Sequence, residues 1–280
     1  MKVSVLMPVY RTEERHLRAA IESVLAQTMG DFEFLVLDDC PEDDREAVVR
    51  SYRDPRLVYV KNDRNLGISA SRNRLMEMAK GEYLAVFDHD DICHPERFAK
   101  EAAYLDAHPE CGVVGSWLRQ TSNGSVTHYP EDDHDIKIDM MREASIWHPA
   151  AMIRRAVIER GNIRYREDYS PVEDYMLWME LVPVTRFHNL PEPLLDYRRH
   201  ERNTSVVRKA ELERAEAGCR AWAKTHLAEW YAEYELRRET VTRVRILGVQ
   251  MLKIVSSERG RRVYLFGHLP IISVVRRVTV

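Results

Sequence analysis

In the stretch GEYLAVFDHDDICHPERF (residues 81–98) an apolar run, Tyr83 to Phe87, ends abruptly in Asp88-His89-Asp90-Asp91. Three carboxylates crowded at the end of a buried segment repel one another unless a cation or cationic ligand sits among them. Asp88 and Asp90, one residue apart, can both turn toward a hard divalent cation such as Mg2+ or Mn2+. Such ions take oxygen ligands and keep positions for substrate phosphates. Helix capping accounts for one aspartate, because Asp91 stands four residues before Pro95 and near a helix start. It does not account for three. The chemistry this cluster suits is binding of a diphosphate through a divalent cation.

The surrounding pattern says how such a cluster would be positioned. Val3 to Val9 and FEFLVLDD (32–39) are near-continuous apolar runs rich in β-branched residues, as in strands buried on both faces. Between them EERHLRAAIESVLAQT carries Leu17, Ile21, Val24 and Leu25 on one helical face. EAVVRSYR reads as a short helix, RLVYVKN as a third strand, and SASRNRLMEMAKG as a helix closed by Gly81 as its cap. YLAVFDHDD is the fourth strand, followed by a helix, PERFAKEAAYLDAHP, with Pro95 in its first turn. Strands alternating with helices predict βαβ units and a doubly wound, mostly parallel sheet, which binds ligands at the carboxyl ends of its strands. Pro8-Val9-Tyr10, Asp38-Asp39 and Asp88–Asp91 all fall at such ends.

Beyond residue 111 the alternation loosens. CGVVGSWLR reads as a strand before a polar loop, TSNGSVTHYPEDDHD; HPAAMIRRAVIER as a strand leading into a helix; VEDYMLWMELV as a helix with an acidic start; and 207–240 as strongly helical. The chain of 280 residues, 45% hydrophobic, can bury a sizeable core. Its net charge of −3 is unevenly spread: from Arg237 onward ten Lys/Arg face two Asp/Glu, leaving an acidic body. That balance argues against nucleic acid as a partner of the body and leaves the tail as a candidate for an anionic surface. Four scattered cysteines without a CxxC pair predict reduced thiols rather than a zinc site or disulfide framework. No segment approaches the ~20 apolar residues of a membrane span, and the short apolar N-terminal stretch does not read as a signal peptide. The expectation is a cytoplasmic protein, at most peripheral at the inner face of the cell membrane.

Taken in order, MKVSVLMPVYRTEERHLRAAIESVLAQT, FEFLVLDD, NLGISASRNRLMEMAKGEYLAVFDHDD and PERF resemble the nucleotide-sugar domain of family 2 glycosyltransferases, of GT-A fold. The resemblance spans roughly residues 1–206, with a nucleotide-sugar half (1–110) and an acceptor half (111–206), and 207–280 as a helical, basic extension. It implies an α/β GT-A fold and an inverting, metal-dependent transfer of a sugar from a nucleotide diphosphate, expected to be UDP-linked, to a hydroxyl of a glycan or lipid-linked acceptor. Bacterial capsular and cell-surface polysaccharide enzymes are its nearest kind.

The resemblance also implies roles. Asp88 and Asp90 match the carboxylates that hold Mn2+ or Mg2+ against the diphosphate, with Asp88 also at the nucleotide. Pro8, Val9, Tyr10 and Asp39 line the nucleotide end, Tyr10 offering a ring face and Asp39 an acceptor for a base N–H. Two departures stand here: Arg11 replaces the usual asparagine, and Asp38-Asp39-Cys40-Pro41-Glu42-Asp43 replaces DDGSTD. Gly67 allows a close turn, and Arg72 with Asn73 would face the nucleotide, a guanidinium fork suiting phosphate or base oxygens. Asp174 is implied as the general base that takes the acceptor's proton, one base and direct displacement inverting configuration; as an isolated feature, an acidic pair at a helix start merely suits the dipole. Glu173 and His148 are acceptor-side candidates, and His200 a metal or diphosphate contact supported by Arg198 or Arg199.

The tail carries Val244, Leu247, Met251, Leu252 and Val255 among Arg243, Arg245 and Lys253, then RRVYLFGHLPIISVVRR. A basic amphipathic segment of this kind suits an anionic membrane; packing on the body or a homodimer partner is the alternative. Two other functional readings are weighed against transfer. One is a carbohydrate- or nucleotide-binding protein without chemistry, which the presence of both the carboxylate cluster and Asp174 disfavours. The other is a DxD phosphatase of the haloacid-dehalogenase type, whose motif belongs on a first strand rather than a fourth.

Overall fold

The computed structural model describes residues 1–43, 45–201, 203–237, 240–246, 249–257, 260–265 and 269–275. It divides into two compact units, Met1–Trp222 and Ala223–Val280.

The first unit opens with β1 (Val3–Val9), α1 (Glu14–Leu25), β2 (Phe32–Asp38), α2 (Glu46–Arg50), β3 (Leu57–Lys61), α3 (Ile68–Met78) and β4 (Tyr83–Val86). These four strands lie parallel in the order β3-β2-β1-β4. β1 and β2 are buried at every position, which is why they read as continuous apolar runs rather than alternating ones. Leu17, Ala20, Ile21 and Val24 of α1 join Val3, Val5, Phe32 and Phe34 in one apolar cluster, each buried Leu, Ile, Val or Phe worth ~1.5–3 kcal/mol against exposure.

The chain continues through β5 (Ile92–Cys93), α4 (Arg97–Ala107), β6 (Cys111–Gln120), β7 (Val126–Thr127), α5 (Asp133–Met140), β8 (Met152–Arg154), α6 (Arg155–Gly161), α7 (Glu173–Leu181) and β9 (Arg186–Tyr197). The sheet extends from β4 through β8, β6 and β9 to β5. β8 runs antiparallel to both β4 and β6, so β6 and its parallel neighbour β9 point the same way as β1, β2 and β4. All their carboxyl ends therefore share one edge, where Asp38-Asp39 and Asp88–Asp91 stand. The fold is α/β with a parallel nucleotide half, as the pattern predicts.

Arg97, fully buried, fastens this edge from behind. It pairs with Glu101 and donates to the carbonyls of Val86, Pro149 and Ala151 at 3.1, 2.7 and 3.0 Å. The last residue of β4 is thereby tied to the turn that carries His148.

Several local expectations need correction. Gly81 does not cap α3, which ends at Met78; a Cβ at Gly81 would come within 2.5 Å of Ser4 N, so the glycine is required by close approach of the chain to β1. Pro95 lies in the turn before α4 rather than in its first turn. The fourth strand stops at Val86, leaving the aspartates in a loop. The polar stretch 121–135 contains β7, hairpinned onto β6, and the start of α5.

The helical extension also differs. α8 (Thr204–Val207) and the first part of α9 (Lys209–His226) belong to the first unit, because Cys219 is fully buried and Arg220 Nη1 donates to the Arg142 carbonyl at 3.3 Å. After α10 (Ala228–Arg237) none of the described residues is helical. β10 (Thr240–Ile246), β11 (Val249–Ser257), β12 (Gly260–Leu265) and β13 (Leu269–Val275) form an antiparallel meander. The alternation of basic and apolar residues in this β-branched stretch has the period of a strand, not of a helix. Leu247 and the Phe266-Gly267 part of YLFG lie outside the described residues. Among the described residues no helix is long and apolar enough to cross a membrane.

Candidate active site

At the nucleotide end, Pro8 and Val9 are buried within β1, and only Tyr10 emerges, 40% exposed. Simple core packing of Tyr10 is thereby excluded. Arg11 adopts φ +47° and lays its guanidinium 5.2 Å from the Tyr10 ring centroid. That backbone region is easier for asparagine than for arginine, which gives the departure at this position a conformational cost.

Asp39 is buried and organises the loop before α3. Its oxygens accept from Asn62 Nδ2 (2.6 Å), Leu66 N (2.8 Å) and Gly67 N (2.9 Å). Gly67 sits at φ +84°, where a side chain would strain the turn. About four lone-pair positions exist on a carboxylate, so a base N–H has one left to use. Asp38 instead serves the fold, accepting from Cys40 N and the Tyr59 hydroxyl.

Arg72 is the bridge of the site. One terminal nitrogen donates to Glu173 Oε1 at 2.6 Å and the other to Asp88 Oδ1 at 3.2 Å. α3, the loop after β4 and the start of α7 are thus joined by a single buried guanidinium. The predicted orientation of Asn73 toward the nucleotide does not hold: its amide exchanges two hydrogen bonds with the backbone of Tyr165, at 2.8 and 2.9 Å.

The aspartate loop closes onto the end of β9. Asp90 Oδ2 lies 2.8 Å from His200 Nε2, so two residues 110 apart in sequence meet. Asp91, expected as a helix cap, caps nothing. It is 0% exposed and accepts the Arg198 N–H at 2.8 Å, continuing the β5–β9 pairing and delivering His200 to Asp90. Its other oxygen has no partner, and burial together with Asp90 and Asp88 pushes its pKa well above the usual carboxylate range. Arg198 Nη1 is likewise buried without an acceptor, a donor that an anionic ligand would satisfy.

Asp90 and His200 suit a divalent cation. A carboxylate oxygen suits either Mn2+ or Mg2+ and an imidazole nitrogen is acceptable to Mn2+, and an ion that retains substrate phosphates needs only one or two protein ligands. Among the described residues no set of three His, Cys, Asp or Glu side chains is grouped to hold a cation.

At the head of α7 the two acids diverge. Glu173 is buried and held by Arg72. Asp174 is partly exposed and accepts from Tyr175 N at 2.7 Å; burial first, then the charge of Glu173, raise its pKa to about 7. His148 is 4% exposed, its Nε2 lying 2.8 Å from the Tyr165 hydroxyl and its ring packed near Trp178. Burial and the neighbouring arginines Arg72 and Arg97 hold its pKa well below that of a free imidazole, so it stands behind the site as a neutral ring.

Sequence reasoning missed three contributors: Asp91, Tyr165, and His16, whose ring stacks on His200 with centroids 5.4 Å apart. Asp91 alone had a signal, as the third member of an acidic run. The other two are brought in by long-range packing.

A family model described as "Glycosyl transferase family 2" matches residues 4–162. An uncharacterized glycosyltransferase of Methanocaldococcus jannaschii is 31% identical over 74% of this chain and 73% of its own length. The amylovoran biosynthesis glycosyltransferase AmsE of Erwinia amylovora is 28% identical over 70% of this chain and 75% of its own. Among solved structures, S. aureus TarS 1-349 in complex with UDP-GlcNAc shares the fold at TM-score 0.69 and 21% identity, over 84% of this chain and 72% of that one. The Pyrobaculum calidifontis mannosyltransferase PcManGT, in complex with GDP-Man and Mn2+, does so at TM-score 0.58 and 17% identity, over 84% and 75%. With the aspartate loop, the Arg72 bridge and the acidic head of α7 gathered at one sheet edge, the chain belongs to glycosyl transferase family 2 and is a glycosyltransferase of GT-A fold.

Proposed function

We propose that this glycosyltransferase is inverting and metal-dependent, and that it moves a sugar from a UDP-linked donor to a hydroxyl acceptor in cell-surface polysaccharide synthesis. The observation that carries the reading is the contrast within one site: Asp90 paired with His200, and Asp174 left with a pKa of about 7. A carboxyl that titrates near neutrality takes a proton with little penalty.

The reaction assigned to these residues is one displacement. Asp174, deprotonated, accepts the proton of the acceptor hydroxyl. The hydroxyl oxygen bonds to the anomeric carbon as the bond from that carbon to the phosphate oxygen breaks, and the electron pair leaves on the diphosphate. No covalent enzyme intermediate forms, so configuration inverts. A divalent cation held by Asp90 and His200, with Asp88 beside them, would supply Lewis-acid neutralisation of the departing diphosphate. Arg72 keeps Glu173 and Asp88 in fixed relation, so donor and base sides remain aligned.

UDP is favoured because TarS is solved with UDP-GlcNAc and with UDP, and polysaccharide synthesis because AmsE is named for amylovoran biosynthesis. A DxD phosphatase would need Asp88 free as nucleophile, and here it is paired with Arg72. The test is calorimetric titration with UDP, GDP, CDP and dTDP, with and without Mn2+. Tight binding of UDP only with metal is expected. Metal-independent binding, or none, would remove the metal and donor assignments.

A further inference from the structure

The displacement leaves unused a group of aromatic side chains at the same sheet edge. Trp117 and Tyr197 stand toward the carboxyl ends of the parallel β6 and β9, Tyr129 follows β7, and Trp147 immediately precedes His148. Trp147 is the hub, its ring centroid 5.1 Å from Tyr197 at a near-perpendicular 78° and 6.4 Å from Tyr129. Trp117 Nε1 donates to the Tyr129 carbonyl at 3.2 Å, which fixes the hairpin strand beside them.

Partial exposure separates these rings from the core, although Trp147 packs against it. Trp178, Tyr83, Phe34 and Phe98 are essentially fully buried, whereas all four rings of this group remain partly exposed. Trp147 Nε1–H, like that of the core residue Trp178, is shielded from solvent and has no acceptor, whereas the indole of Trp117 has one. A buried donor left unpaired costs about 1–3 kcal/mol, a cost that a bound acceptor group removes. Partly exposed aromatic residues are suited to a pyranose, whose C–H face packs on an aromatic ring. The group is joined in sequence to the aspartate loop's partner strand: Tyr197 precedes Arg198, whose N–H is held by Asp91.

We propose that Trp147 and Tyr197, with Tyr129, form a subsite for a pyranose unit of the acceptor, so that the acceptor is a glycan and not a simple lipid alcohol or a protein side chain. This assignment rests on the reading of Asp174 and the aspartate loop as the transfer site.

The test uses the full chain with UDP and Mn2+ and a panel of methyl pyranosides of gluco, galacto, manno and N-acetylglucosamine configuration, observed by saturation-transfer NMR. At least one glycoside should bind, its ring C–H protons receiving saturation. Trp147→Ala should weaken that binding by about tenfold, the upper range for an aromatic contact, and Trp147→Phe by less, since it keeps a ring and loses the N–H. Calorimetric binding of UDP·Mn2+ should be unchanged in both variants, which also establishes that they are folded. Absence of binding by every glycoside, or binding that Trp147→Ala leaves intact, overturns the subsite. Loss of UDP·Mn2+ binding in the parent chain would instead overturn the transfer reading beneath it.

Discussion

The aspartate loop after β4 and the acidic head of α7 are both clusters of carboxylates at the same sheet edge, yet they are treated in opposite ways. In the loop, Asp88 has Arg72, Asp90 has His200 and Asp91 has the Arg198 N–H. At α7, Glu173 takes the available guanidinium, and Asp174 is left beside it with a pKa raised to about 7. In the proposed assignment, this difference separates holding from proton transfer. A carboxylate fixed by cationic or donor partners is placed to bind, whereas one destabilised as an anion by burial and a like charge is placed to accept a proton.

The sharpest way to break this comparison is at Asp90. Asp90→Ala should abolish metal-linked donor binding and lower transfer by ~10³-fold or more, comparable with losing a main electrostatic stabiliser. Equal UDP affinity in variant and parent, measured with Mn2+, would contradict the holding role. Asp174→Asn comes next: transfer should fall by ~10²–10³-fold, the scale of a general base, while calorimetric donor binding stays intact.

Asp91 sharpens the comparison at a lower level. Asp91→Ala removes the acceptor that fixes the Arg198 backbone, and Mn2+·UDP affinity should fall by roughly 10–100-fold, as for other residues that orient a metal ligand. Asp91→Asn keeps an oxygen for that N–H and should restore most of the loss.

The smallest effect is on pH. With Asp174 as the proposed base, active when deprotonated, transfer at saturating donor should rise with pH through about 7 and level off above it. Glu173→Gln removes the like charge that raises Asp174, so the rising limb should move to lower pH by about one unit. A limb that stays in place would assign the titration to another group.

How legible these features were in the sequence depended on the range of the interactions behind them. β1, β2 and β3 are readable within a residue and the helices between them within three, since a buried strand needs an apolar run and an amphipathic helix a 3.6-residue stripe. β9 was missed entirely. It contains Pro191 and Pro193, which argue against a central strand, and its ladder with β6 tolerates them through register shifts near Ser116 and Trp117. The tail's strand period was present as alternation and was read as amphipathicity without a partner to decide its type.

The sequence by itself determined the nucleotide half, the chemical identity of the aspartate cluster and the acidic pair that follows it, because these depend on local periodicity and on residue types at short spacing. Tertiary structure decided which of those groups meet. Arg72, expected at the nucleotide, joins Asp88 to Glu173; Asp91, expected as a cap, carries His200 to Asp90. Burial and neighbouring charge, which set the pKa of Asp174 and the neutrality of His148, arise only when segments a hundred residues apart are packed together.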